Sequence, residues 1–252
     1  MQITAKTWNE YITRLSRLNQ KAGQLMRQYI DTHGTGDADA LITYAAALVT
    51  KYGEGSAELA CQMYDALAEA ANAGVPAAEP AEPADYGEVA RMVNATKNQN
   101  PANLPNGVSR LVKRAGADTT LKNAVRDGAE WAWVPHGDTC PFCITLASNG
   151  WQKASSKVLK GGHADHIHAN CDCEFAIRFD HNTTVAGYDP EKYLAQYNAA
   201  GGDINKMRRV NYAANKERIN AQKRAAYAAR KGYTNQAASA ILDTSNKIGV
   251  NQ

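Results

Sequence analysis

The stretch "TWNEYITRLSRLNQKAGQLMRQYI", residues 7–30, places apolar side chains at Trp8, Tyr11, Ile12, Leu15, Leu18, Ala22, Leu25, Met26 and Tyr29. A three-to-four spacing held over this length is an amphipathic helix with one face to bury. "HGTGD" at 33–37 breaks the pattern, and Asp37 is suited to cap the next helix. Residues 38–51 and 56–73 read as two further helices separated by "YGEG", and their Ala and Leu content suits close antiparallel packing. The first 73 residues therefore predict a helical bundle.

Next comes "GVPAAEPAEPAD", residues 74–85, whose three prolines predict a stiff, solvated linker. Residues 85–97 predict a short helix, and "NQNPANLPNG" a loop. Asp118 is expected to cap a helix reaching to about Trp133, with Trp131 and Trp133 packing on whatever the following cysteines organise. Beyond residue 180, Asp189 followed by Pro190 starts a short helix, and "AAGGD" ends it. A long Ala-rich helix is expected from Ile204 to Lys231.

Composition sets the class. At 252 residues, 44% hydrophobic and 21% charged, the chain is globular with a modest core. The first twenty residues hold no apolar run of the signal-peptide kind. No stretch approaches the roughly 18 apolar residues of a membrane span. A reducing cytoplasm is the expected setting, where clustered cysteines favour metal or redox chemistry over disulfides. Cys61 stands apart within an apolar helical pattern and reads as a core residue.

The remaining cysteines fall in two pairs. Cys140 and Cys143 have the two-residue gap that lets both thiolates reach one ion. After 24 further residues comes His168-Ala-Asn-Cys171-Asp-Cys173. A knuckle plus a distant second half is how structural zinc sites are built. In an extended segment Cys171 and Cys173 project to the same face. Five candidate ligands, Cys140, Cys143, His168, Cys171 and Cys173, thus compete for the four positions of structural Zn2+. A dithiol oxidoreductase reading would place Cys-Pro-Phe-Cys early in a βαβ unit, whereas here about 139 mainly helical residues precede it. The nearby His163, Asp165 and His166 resemble part of an HNH nuclease, but the second Cys-x-x-Cys and the later Asn and His are not evident. The His-x-Glu that zinc deaminases place ahead of Pro-Cys-x-x-Cys is absent as well. No enzyme activity is expected.

Charge is uneven. Of 28 basic and 25 acidic residues, nine Lys or Arg and one Glu fall between Ile204 and Lys231. The remainder holds 19 basic and 24 acidic residues, a net of −5. Arg209, Lys216, Lys223 and Arg230 recur every seven residues and form one stripe, with Arg224 beside it and Tyr212 and Tyr227 on the same side. Such a stripe suits an acidic protein surface or sequence-blind contact with phosphates. A base-reading DNA-binding regulator finds no support in it.

"VPHGDTCPFCITLASNGW" (134–151) followed by "HANCDC" (168–173) resembles the MuF-like minor capsid proteins of tailed bacteriophages. The elements that carry the resemblance are Cys140 and Cys143, Leu146-Ala147-Ser148-Asn149-Gly150, and His168, Cys171 and Cys173. Looser similarity lies in "YGEGSAELACQMYDAL" and "GYDPEKYLAQY". The aromatic after Leu-Ala-Ser-x-Gly is often Tyr in that family and is Trp151 here. The resemblance implies a low-copy virion protein of the phage head, present in the host cytoplasm during assembly. Its implied partners are portal, scaffold or major capsid protein, and non-specifically the packaged DNA. The expected architecture is α+β, predominantly α, with no membrane contact. It comprises an N-terminal helical region (1–73), the linker (74–85), a Cys/His zinc-stapled module with short strands (86–180), and a basic helical C-terminal region (181–252).

Overall fold

The computed structural model describes residues 4–137, 139–160, 173–181, 185, 187–221, 223–224 and 227–228. The described chain is mostly helical, with one small sheet. It divides into two compact units, residues 1–198 and 199–252.

The first helix, α1, spans Ala5–His33; the Thr4 hydroxyl accepts the Thr7 N–H at its start. It buries Trp8, Tyr11, Ile12, Leu15, Ala22 and Met26, the stripe expected from the spacing. The next helix, α2, runs unbroken over Ala38–Ala71, with Asp37 as the expected cap. The two helices expected at 38–51 and 56–73 are therefore one. "YGEG" does not break the helix. A Cβ on Gly53 would lie 2.9 Å from the Pro83 Cβ, so Gly53 allows a close approach there, at about 1 kcal/mol of helix propensity.

The proline-rich segment holds no helix or strand and is mostly exposed, yet its backbone is tied to the helices. Ala78 N–H donates to Asp65 Oδ1 at 2.7 Å, Glu79 N–H to Asn123 Oδ1 at 3.0 Å, and Ala81 N–H to Thr119 Oγ1 at 2.9 Å. Arg126 donates to the carbonyls of Pro76 and Ala77. Side chains of the helices thus satisfy backbone groups that no ladder serves, and the segment straps α2 to the helix carrying Thr119 and Asn123.

Helix α3 (Tyr86–Gln99) starts at its Asp85 cap and buries Val89 and Val93. A single 3-10 turn, Pro101–Asn103, leads into α4 (Leu104–Asp127). The expected loop therefore holds a helix start, Asp118 lies inside α4 rather than at its cap, and the helix stops well before Trp133. Gly128, at φ 67°, ends it in the left-handed region. The physical cause of the difference is that α4 is the central helix, buried on most sides, and so shows little apolar periodicity. Its close approaches rest on small residues. A Cβ on Gly116 would lie 2.7 Å from Ser56 Oγ, and one on Gly23 of α1 would lie 2.5 Å from Ser109 Oγ.

Strand β1 (Glu130–Val134) is the centre of a three-stranded antiparallel sheet of order β2-β1-β3. Its partners are β2 (Gln152–Lys153) and β3 (Glu174–Arg178), with Trp133 paired to Phe175 and Val134 to Glu174. Trp131 and Trp133 are thus strand residues, 4% and 3% exposed. One core cluster joins this sheet to the start of α1 and the end of α2; a second joins α1, α2, α3 and α4 at the other end.

Candidate metal centre

After β1 the chain turns through Gly137 to Cys140, which occupies the N-cap of helix α5 (Pro141–Ala147) with Pro141 in its first turn. Cys143 lies one turn further on, so both thiols share a side of the helix start. Their sulfurs are 3.6 Å apart, Cys140 donating to Cys143. A disulfide would need about 2.05 Å. Two thiolates on one tetrahedral zinc, each about 2.3 Å from the metal, would sit about 3.8 Å apart. The pair therefore fits a shared zinc ion. Cys143 is fully buried and Cys140 half-buried.

Cys173 immediately precedes β3 and is fully buried. Because β1 and β3 are antiparallel, the end of β1 and the start of β3 meet at one edge of the sheet. That edge leads on one side to Cys140 and on the other back to Cys173. Beyond β2 lie helices α6 (Ser156–Lys160) and α7 (Pro190–Ala199). Tyr193, on α7, has its hydroxyl pKa raised by burial and secondarily by Cys173. Among the described residues, no group of three or more His, Cys, Asp or Glu stands ready to hold a metal. His168 and Cys171 lie outside the described residues, as do His163, Asp165 and His166. The structure therefore brings Cys140 and Cys143 together, and Cys173, entering β3 opposite the end of β1, shares their core cluster. Cys61 is buried elsewhere, and burial pushes its thiol up to about 11, which keeps it protonated and inert.

The Leu-Ala-Ser-Asn-Gly element closes α5 and turns into β2. Asn149 N–H donates to Leu146 O and Gly150 N–H to Ala147 O, with Gly150 at φ 65°. Trp131, Trp133, Leu146, Asn149 and Gln152 enclose a cavity of about 60 Å³ beside it. Tyr188 clamps the element from outside, its hydroxyl donating to Ala147 O at 2.9 Å and its ring meeting Trp151 edge-on at 5.7 Å. The Arg178 guanidinium lies 4.7 Å from the Trp151 ring centroid and pairs with Glu130. Asp189 accepts the N–H groups of Glu191 and Lys192, capping α7 as expected.

One supporting contact was not legible in the sequence. Lys113 Nζ of α4 lies 3.2 Å from Glu174 Oε1, both side chains almost wholly buried. Glu174 follows Cys173 directly, so the pair pins the second half of the cysteine block to the central helix. No carboxylate stands three or four residues from Lys113, and only tertiary structure supplies its partner.

In the second unit, Asp203 accepts the N–H groups of Asn205 and Lys206, and residues 204–221 are helical, as are 223–224 and 227–228. Arg209, Lys216, Lys223 and Arg224 are exposed; Arg230 lies outside the described residues. Tyr212 and Tyr227 are exposed as well.

No helix among the described residues is long and apolar enough to cross a membrane. Neither the curated proteins nor the solved structures yield a match. A family model does match, over residues 2–200, which takes in the helical bundle, the strap, the sheet and the whole cysteine block. The chain belongs to that family, the VG15 protein family of viral (phage) gene proteins.

Proposed function

We propose that this chain is a structural protein of a tailed-phage head, a minor capsid protein that acts in procapsid morphogenesis near the portal. The observation that carries the reading is the Cys140–Cys143 pair at 3.6 Å, set in the Cys block that resembles the MuF-like proteins. Membership of a phage gene-protein family supports it. Structural Zn2+ is held by Cys140 and Cys143, with two of His168, Cys171 and Cys173 completing the set. A bound ion would cross-link the start of α5 to the segment entering β3 and so fix the chain where it leaves β1 and enters β3. No catalytic step is assigned to the site. The helical body meets portal, scaffold or major capsid protein, and the basic helix meets a polyanionic partner, DNA or an acidic capsid surface.

Elemental analysis of protein purified without added metal tests the centre. About one zinc per chain is expected, lost in Cys140→Ser/Cys143→Ser. No zinc, together with freely reacting thiols at Cys140, Cys143, Cys171 and Cys173 in the native state, would sink it. Sedimentation of the protein with procapsids carrying the portal, and not with portal-less shells, tests the assembly role.

A further inference from the structure

We infer that Cys140 and Cys143 form a modification site as well as a metal pair: a hydroperoxide oxidises them to an intrachain disulfide. The disulfide needs only the two thiols. Its consequence, release of the metal, rests on the zinc reading above.

The first observation is distance. The two sulfurs stand 3.6 Å apart, and a disulfide brings them to about 2.05 Å. The closure is smaller than the step of a Sγ atom from one staggered rotamer to the next. Cys140 lies ahead of the helix, with its backbone extended at φ −74° and ψ 158°, so its side chain can turn without unwinding α5. Cys143 lies in the first turn and is held there by the core.

The second is unequal access. Cys143 is fully buried, whereas Cys140 is half-buried and reaches solvent. A hydroperoxide therefore meets Cys140 first. The Cys140 sulfur takes one peroxide oxygen and becomes the sulfenic acid, and the other oxygen leaves as water or alcohol. The Cys143 sulfur then attacks the Cys140 sulfur and the S–O bond breaks. The departing hydroxyl takes the Cys143 proton and leaves as water. Two electrons have passed from the thiols to the peroxide. Because the second sulfur is already at 3.6 Å, ring closure competes with further oxygenation of Cys140.

The third is setting. The sheet beside the pair is antiparallel, so the pair lies outside the βαβ unit of dithiol oxidoreductases, and the step stays within this chain. The bond spans only Cys140 to Cys143, so it takes little entropy from the unfolded chain, and small thiols can reverse it. Neither sulfur of a disulfide is a thiolate. Oxidation therefore removes two of the four ligands at once and frees the start of α5 from the segment entering β3.

Intact mass and non-reducing peptide mapping of the full chain under hydrogen peroxide test the inference, with zinc-bound and chelator-stripped protein in parallel. Both samples are expected to lose the mass of two hydrogen atoms and to yield a peptide link between Cys140 and Cys143, reversed by dithiothreitol. The zinc-bound sample also releases about one zinc per disulfide, read with a chromogenic chelator. In Cys143→Ser, dimedone labels Cys140 as the sulfenic acid. Cys61→Ser changes nothing, since that thiol is buried in another part of the fold. Thiols that persist at Cys140 and Cys143 in either sample would overturn the inference. So would a disulfide joining Cys173 to one of them, or Cys140 passing to the sulfinic acid while Cys143 stays a thiol. Protein that carries no zinc yet forms the Cys140–Cys143 disulfide sinks the metal reading alone. Zinc-bearing protein whose two thiols persist sinks this inference alone.

Discussion

Lys113 and Glu174 form an ion pair at 3.2 Å with side chains only 2% and 5% exposed, joining the central helix to the first residue of β3. Breaking such a pair strands a charge away from water. Lys113→Met is expected to cost about 3–5 kcal/mol in urea unfolding. Lys113→Met/Glu174→Leu is expected to recover most of it, because an apolar pair of similar size leaves no charge unpaired. Equal losses in the single and double variants would show that the pair's packing, not its charge, holds β3.

The thiol pair at the start of α5 makes a second prediction. Removing a bound structural zinc removes stability, because the unfolded chain offers no preformed site. A strong chelator should lower the melting temperature of wild type and leave that of Cys140→Ser/Cys143→Ser unchanged. A chelator effect of equal size in both proteins would place any metal elsewhere.

The crossing of α2 and α4 makes a third. Gly116→Ala would set a methyl 2.7 Å from Ser56 Oγ and 3.1 Å from Ser56 O. Backbone cannot move as a side chain can, so the expected cost is about 1–3 kcal/mol. Ser56→Ala should be neutral or stabilising, since its buried hydroxyl has no partner among the described residues. Chemical denaturation of both variants checks the contrast.

Acid should act through Asp127. Its carboxylate accepts from Arg126 at 2.7 and 2.8 Å and from the Tyr64 hydroxyl at 2.7 Å. The Arg126 hydrogen bonds, outweighing burial, hold its pKa below the ordinary carboxylate value. A folded pKa below the unfolded one, about 3.9, contributes stability that is fully present above that pH. The contribution is lost as pH falls through the folded value. The stability gap between wild type and Asp127→Asn should therefore be constant from about pH 7 to 5 and shrink below about pH 4. A gap that widened in acid would contradict the assignment.

The clamp on the Leu-Ala-Ser-Asn-Gly turn is the last. Tyr188→Phe keeps the ring against Trp151 but removes the donor to Ala147 O. A loss of about 1 kcal/mol is expected. Thermal denaturation that shows no loss would mean the ring contact alone holds the segment.

The sequence by itself determined what local chemistry determines. Periodicity located α1 and its buried stripe, Asp37, Asp85 and Asp189 marked the helix starts that the structure shows, and the spacing of Cys140 and Cys143 placed two thiols within reach of one ion. The charge count isolated the basic helix. Tertiary structure decided the rest. Gly53 leaves room for Pro83 inside a helix, so α2 runs through a sequence that reads as a break. Buried on most sides, α4 lost the contrast that marks a helix boundary, and Trp131 and Trp133 became a strand because Phe175 and Gln152 pair beside them. The strap at 74–85 and the partner of Lys113 depend on groups tens of residues away. Local rules fix how a segment prefers to bend; only the assembled core decides which buried polar groups find partners and which glycines are spacers rather than hinges.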